Sequence, residues 1–291
     1  MATAPQAPAG ERVTPLKPLP FMMTPLDEHQ EYIKMLIHAG PGAGKTTLAG
    51  SAVDVDFMQD VLFLNIEGGS LSLKNNPRVQ KASEIQNIRI TNFAQMDKVK
   101  DWLQAHCMLR DKGDIEGLKK LEEKITGVAP AKPKQFKTVI LDSISELDNM
   151  SLSHILGINM DNISLEGDIP STEWAHYKQN NTKMQILVRR LRDLPVNLIM
   201  TCITKWVQDE TKKMHYSPGL TGQLRDQVQG FVDIVGFLAV GVPTEEKEAP
   251  RRLYVQPVNK SDGKNRWAGY SKAYFDDPTM TSILKAVGLL K

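Results

Sequence analysis

Cysteine is scarce in this 291-residue chain: Cys107 and Cys202 are the whole supply, far apart in sequence. That spacing suggests neither a disulfide framework nor a metal site, and a reducing, cytoplasmic setting fits it best. An excess of charge is lacking too. Thirty-six Lys and Arg against 34 Asp and Glu leave a net +2, so any contact with a polyanion has to come from local clusters rather than from a global field. Long apolar runs are missing: the longest, Phe231 to Val242, is short and interrupted by Asp233. With no basic segment followed by an apolar core at the start, neither secretion nor a membrane span is expected. No internal repeat occurs, and a hydrophobic fraction of 41% with 24% charged residues excludes a chain that is disordered throughout.

What is present has a clear organisation. The opening "MATAPQAPAGERVTPLKPLP" is rich in proline and alanine without periodicity, so a flexible tail is expected over 1–25 and a single α/β domain over 26–291. Short apolar runs at Tyr32 to Ile37, Val61 to Ile66, Ile88 to Ile90, Thr138 to Leu141 and Val196 to Ile203 alternate with amphipathic stretches. That rhythm predicts a mostly parallel central sheet flanked by helices. The clearest helix spans Ala175 to Leu194, with Met184, Leu187, Val188, Leu191 and Leu194 on one face and Arg189, Arg190 and Arg192 mostly on the other, solvated side. Lys112 to Pro133 is charged and reads as a surface insertion. Phe231 to Val242 and Arg251 to Val258 flank "PTEEKEAP" and predict a C-terminal antiparallel hairpin.

Chemistry concentrates in "HAGPGAGKTTLAG", His38 to Gly50. Ala39, four residues, then Gly44, Lys45 and Thr46 form a phosphate-binding loop with Ala in the first place, a position that needs a small residue more than a particular dihedral. Gly40, Gly42, Ala43, Gly44 and Thr47 supply backbone and side-chain contacts to the phosphates of ATP. The following helix N-terminus adds a favourable dipole, Lys45 neutralises β and γ charge, and the Thr46 hydroxyl binds Mg²⁺. In "FKTVILDSISEL" the apolar strand delivers Asp142 to the same metal. In "VLFLNIEGGSLSL" the second strand ends at Glu67, and two glycines turn the chain sharply. A carboxylate there can orient and deprotonate an attacking water, which predicts hydrolysis rather than transfer to a metabolite.

The order "AGPGAGKTT", "FLNIEGG", "VILDSISEL", "NLIMTCITKW" resembles that of the RecA-like ATPases. More narrowly, Pro218 to Leu238 and "KNRWAG" at Lys264 to Gly269 resemble the core-only RecA-like proteins of bacteriophages, implicated in single-strand annealing. The resemblance spans about Tyr32 to Leu290. It implies a homo-oligomer, ring or filament, in which Lys264 and Arg266 reach the γ-phosphate held by a neighbouring copy; "KNRWAG" is similar to the KNRFG motif of RadA-type ATPases. It also implies a sensor on the fifth strand, where Thr201 and Thr204 are the candidates although the family usually ends that strand with Gln, Asn or His. Directly after it, Lys205, Lys212 and Lys213 can meet phosphates while Trp206 and Tyr216 offer faces to unpaired bases, the combination that single-stranded DNA requires. The implied role is a recombinase core acting on single strands, with a single-strand-binding protein as a further partner. A nucleotide-gated module that loads or regulates a replication partner, with little hydrolysis, is the other reading. A second basic cluster, Arg251, Arg252, Lys260, Lys264, Arg266 and Lys272, fits either a subunit contact or a DNA contact.

Overall fold

The run after Tyr32 is apolar apart from Lys34, and a strand of that kind has to be covered on both faces. In the computed structural model it forms β1 (Lys34–Ala39), buried at all six residues. The structure describes residues 32–158, 170–208, 212–243, 249–257 and 260–290; the proline-rich tail and most of the turn "PTEEKEAP" lie outside the described residues. The further strands are β2 (Val61–Asn65), β3 (Gln86–Arg89), β4 (Thr138–Asp142), β5 (Asn197–Gln208), β6 (Met214–Pro218), β7 (Ile234–Val240), β8 (Arg251–Tyr254), β9 (Lys264–Asn265) and β10 (Tyr274–Asp276). The helices are α1 (Lys45–Gly50), α2 (Phe93–Asp111), α3 (Ile115–Thr126), α4 (Ile144–Ile155), α5 (Trp174–Arg192), α6 (Leu224–Phe231) and α7 (Met280–Ala286).

The strands run β10-β8-β7-β1-β5-β4-β2-β3 across the sheet. Every pair from β7 to β3 is parallel, and β8 and β10 turn antiparallel at the edge. This is the expected mostly parallel α/β architecture with its C-terminal antiparallel hairpin, β7–β8. Its decisive feature is that β5 lies between β1 and β4. Because strand side chains alternate, Leu36, Leu62 and Leu64 join one core with residues of α2, α4, α5 and α6, while Met35, Ile37 and Phe63 join a second with α1 and α7.

Caps explain where several helices begin. Asn92, Asp114, Ser143 and Thr279 each accept a backbone N–H two or three residues into their helix, satisfying donors that would otherwise be orphaned.

Three details depart from the sequence reading. Residues 112–133 contain α3, whose buried Leu118 and whose Leu121 carbonyl, accepting from Trp102 Nε1 at 3.2 Å, bind it to α2. The apolar run from Phe231 divides between α6 and β7, because Asp233 pairs both ways with Lys34: its N–H donates to the Lys34 carbonyl at 2.8 Å and its carboxylate accepts the Lys34 N–H at 3.2 Å. Arg189 and Arg192 are not merely solvated; their guanidinium groups sit 5.0 and 5.3 Å from the Phe231 ring centre.

Phe63 is fully buried at the middle of β2. Phe63→Ala should lower the unfolding free energy by about 3–5 kcal/mol, read as a shift of the urea midpoint.

Candidate nucleotide-binding site

Parallel strands carry their ligand-binding loops at their C-terminal ends. There β1 leads into the phosphate loop, β2 into Glu67 and β4 into Asp142. Gly42 and Gly44 adopt φ of +71° and +99°, a region that favours glycine. Lys45 Nζ is folded inward, donating to the Ala39 and Gly40 carbonyls at 3.2 and 3.0 Å. Burial holds its pKa below the usual lysine range, against the opposing pull of the Glu67 and Asp142 carboxylates. The helix that follows is short: α1 ends at Gly50 and passes into a 3-10 turn, Ser51–Asp54. Ser51 Oγ bonds back to the Leu48 carbonyl at 2.7 Å and accepts the Met280 N–H at 2.8 Å, which diverts the chain from the regular ladder. The loop therefore offers a phosphate its backbone N–H groups and Lys45 rather than the dipole of a long helix.

Asp142 is 1% exposed. Thr46 donates to its Oδ2 at 3.0 Å and Thr201 donates to its Oδ1 in a shorter bond. Burial raises its pKa, and the two hydroxyls act in the opposite direction. Of the two sensor candidates, Thr201 is thus in direct contact with the Asp142 carboxylate. Thr204 is three residues farther along and bonds His38 instead, at 3.0 Å.

Glu67 is exposed, yet both its backbone and its side chain are anchored. Its N–H donates to the Asp142 carbonyl at 3.2 Å, and Ser143 Oγ donates to its carboxylate. Ser143 was not singled out from the sequence, although its place directly after Asp142 and ahead of a helix was a readable signal. Gly68 takes φ of +87°, as the double-glycine turn requires. Gly69 serves a different need: a Cβ there would lie 2.7 Å from Asp142 Oδ2 and 3.4 Å from Thr46 Oγ1.

That clearance bears on magnesium. Mg²⁺ takes oxygen ligands, keeps several waters and needs few protein groups, so one hydroxyl, one carboxylate and an open side fit it. Among the described residues no group of three or more His, Cys, Asp or Glu forms an alternative metal site.

The remaining candidates separate. Lys264 Nζ donates to the carbonyls of Gln229, Gly230 and Val232 at 2.9, 3.2 and 2.7 Å, neutralising the C-terminal end of α6. Arg266 pairs with Asp233 at 3.0 Å. Both lie beside the start of β7, the neighbour of β1, toward the end of the strands away from the chain's own phosphate loop. The second basic cluster does not form one patch: Arg252 pairs with Asp276 at 2.8 Å, while Arg251 lies at the phosphate loop, its Nε 3.3 Å from the Ala43 carbonyl.

In the β5–β6 hairpin Lys205, Lys212 and Lys213 are exposed. Tyr216 departs from expectation. Its ring lies 4.0 Å from that of Trp206 and stacks on Phe237 at 5.0 Å, so it is engaged by two other rings, and Trp206, 52% exposed, is the more open aromatic face. Beneath them His38 is fully buried. Its Nε2 faces the Asp262 carbonyl at 3.1 Å, an acceptor only, so Nε2 carries the proton and Nδ1 accepts from Thr204. Asp262 also accepts from Ser217, and from Gln229 at 3.2 Å. A polar residue inside an apolar strand, and a lone acid in a basic stretch, were the sequence signals for this network.

Two measurements follow. Gly69→Ala should weaken Mg²⁺-dependent nucleotide affinity by about tenfold through crowding of Asp142 and leave affinity without Mg²⁺ nearly unchanged, as read by fluorescence titration. Burial drives the His38 pKa from the usual 6.5 down to about 4. Between those values the unfolded chain takes up a proton that the folded chain refuses, so stability falls as pH drops below about 6.5, by roughly 2 kcal/mol at pH 5. Urea unfolding of wild type and His38→Gln at pH 7 and pH 5 should show a smaller acid loss in the variant.

No curated protein matches the chain. Among solved structures it is similar to the flagellar accessory protein FlaH from Methanocaldococcus jannaschii, at 10% identity and TM-score 0.40, with 84% of each chain covered. It is also similar to the KaiC-like protein PH0186 from Pyrococcus horikoshii OT3, at 14% identity and TM-score 0.42, again with 84% of each chain covered. Residues 31–267 match the family described as AAA domain (AAA_24), and the chain, with its phosphate loop and paired Asp142, belongs to that family of P-loop ATPase domains.

Proposed function

We propose that the chain hydrolyses ATP with Mg²⁺ and couples that cycle to single-stranded DNA as the core of an oligomeric recombinase that promotes annealing or pairing. The observation that carries the hydrolytic part is the joint anchoring of two carboxylates: Asp142 between Thr46 and Thr201, and Glu67 on the adjacent Ser143. One acid is buried beside the phosphate loop and suits a metal; the other is exposed and suits a water. Thr46 and Asp142 would hold Mg²⁺, which supplies charge neutralisation on the phosphate oxygens. Glu67 orients a water toward the γ-phosphorus and accepts its proton as the new P–O bond forms. The bond to the β–γ bridging oxygen breaks, ADP leaves with that oxygen, and Lys45 steadies the developing charge.

The DNA part is supported by the exposed lysines and Trp206 on a hairpin joined to the loop strand through His38 and Thr204. Lys264 and Arg266, placed away from their own site, stabilise charge on the γ-phosphate held by a neighbouring copy once their present partners release them. The reading of a nucleotide-gated module with little hydrolysis shares the same phosphate loop and differs in turnover.

An ATPase titration with single-stranded and duplex DNA, monitored alongside oligomer size, separates the two. Single strands should raise turnover severalfold. Lys45→Ala should abolish it, and Glu67→Gln should lower kcat by about 10²–10⁴ while nucleotide still binds. Trp206→Ala should remove the stimulation but not the basal rate. Nucleotide binding with no effect of DNA on turnover sinks the recombinase reading and favours the module.

A further inference from the structure

The two arginines that open β8 are sorted by the strand itself. Successive side chains point to opposite faces, and Arg252 turns to Asp276 and to the Tyr274 ring, 4.7 Å from its centre. Arg251 turns to the phosphate loop. Its backbone is fixed on both sides, paired with Val240 of β7 and accepting the Asp277 N–H at 2.8 Å. The guanidinium rests against the loop where the loop has no side chain: a Cβ on Gly44 would lie 3.3 Å from Arg251 Nε. Gly44 is thus held to glycine twice, by its φ of +99° and by this approach.

Arg251 also lines a cleft of about 420 Å³ with Gly44, Thr47, Leu48, Lys74 and Arg78. Among the described residues no Asp or Glu lines it. Arg78 is committed to Asp277 at 2.6 Å and to the Pro278 carbonyl. Asn76 donates to Thr47 Oγ1 at 3.3 Å and to the Ser72 carbonyl at 2.8 Å, fixing the wall of the cleft to the loop residue after Thr46. The cleft is therefore a positively charged extension of the phosphate loop on the side that Thr47 faces.

We propose that Arg251 is a second nucleotide-binding cation supplied by the same chain, holding the α- and β-phosphates from this cleft while Lys45 serves β and γ. This rests on the ATP reading above. Because the contact is made equally by di- and triphosphate, its energy belongs to ground-state binding and not to the chemical step. Arginine suits the task, since its planar fork spans two phosphate oxygens.

The test is competition binding of ADP and of ATP to wild type, Arg251→Gln, Arg251→Lys and Arg252→Gln. Arg251→Gln should weaken both nucleotides by the same factor, about tenfold. In turnover the loss should fall on KM and not on kcat, Arg251→Lys should recover most of it, and Arg252→Gln should match wild type. Unchanged affinity in Arg251→Gln, or a loss confined to ATP, overturns the proposal and leaves the ATP reading standing. Failure of wild type to bind either nucleotide overturns the ATP reading itself. If Arg251→Gln does not fold, phenylglyoxal modification of the wild-type chain gives the answer: ADP should protect Arg251 and not Arg252, and modification of Arg251 indifferent to ADP overturns the assignment.

Discussion

Asp142 ends β4 at 1% exposure, and a carboxylate at that depth is tolerable only while its oxygens are answered by donors or cations. Thr46 and Thr201 answer one oxygen each, and these come from the phosphate-loop helix and from the strand inserted between β1 and β4. The acid thereby joins three elements that are distant in sequence. Gly69 must stay bare so that the chain after Glu67 can close over the same oxygen. Ser143 extends the arrangement outward: one hydroxyl caps α4 by accepting from Glu146 N–H and donates to Glu67. Position of the exposed acid is thus inherited from position of the buried one.

A second polar chain runs the other way. His38 sits one residue ahead of Ala39 on β1, is driven neutral by burial, and links through Thr204 to β5 and through the Asp262 carbonyl to the loop before β9. Each partner is itself held, Asp262 by Ser217 and Gln229. In a low-dielectric interior such a network is rigid only when every member is paired. The base of the β5–β6 hairpin is therefore fixed relative to the phosphate loop, whereas its lysines remain exposed.

Much of this was legible before any coordinates. The apolar runs at 32–37, 61–66, 138–141 and 196–203 became β1, β2, β4 and β5 within about two residues at their starts, because strands buried on both faces carry no competing helical period. Gly42, Gly44 and Gly68 were readable as turn residues from spacing alone, and all three adopt positive φ. Other features were not legible. A charged stretch such as 112–133 hides a helix when only a narrow stripe, here Leu118 and its neighbours, needs cover. Tyr216 looked like an open aromatic because its stacking partner Phe237 is on another strand.

Residue type and spacing along the chain were sufficient for the phosphate loop, the two acids and the alternating β and α rhythm, since those depend on local backbone geometry and on periodic burial. The fates of the cations were not contained there. Arg251 and Arg252 are adjacent and chemically identical, yet one meets the phosphate loop and the other Asp276, because strand alternation sends them to opposite faces of a sheet. Nothing along the chain pairs Lys264 with the carbonyls that end α6, or Arg266 with Asp233; only the fold brings them together. Long flexible side chains take their role from whichever carbonyl, acid or loop the packed sheet places within reach, and that is settled only once distant strands have paired.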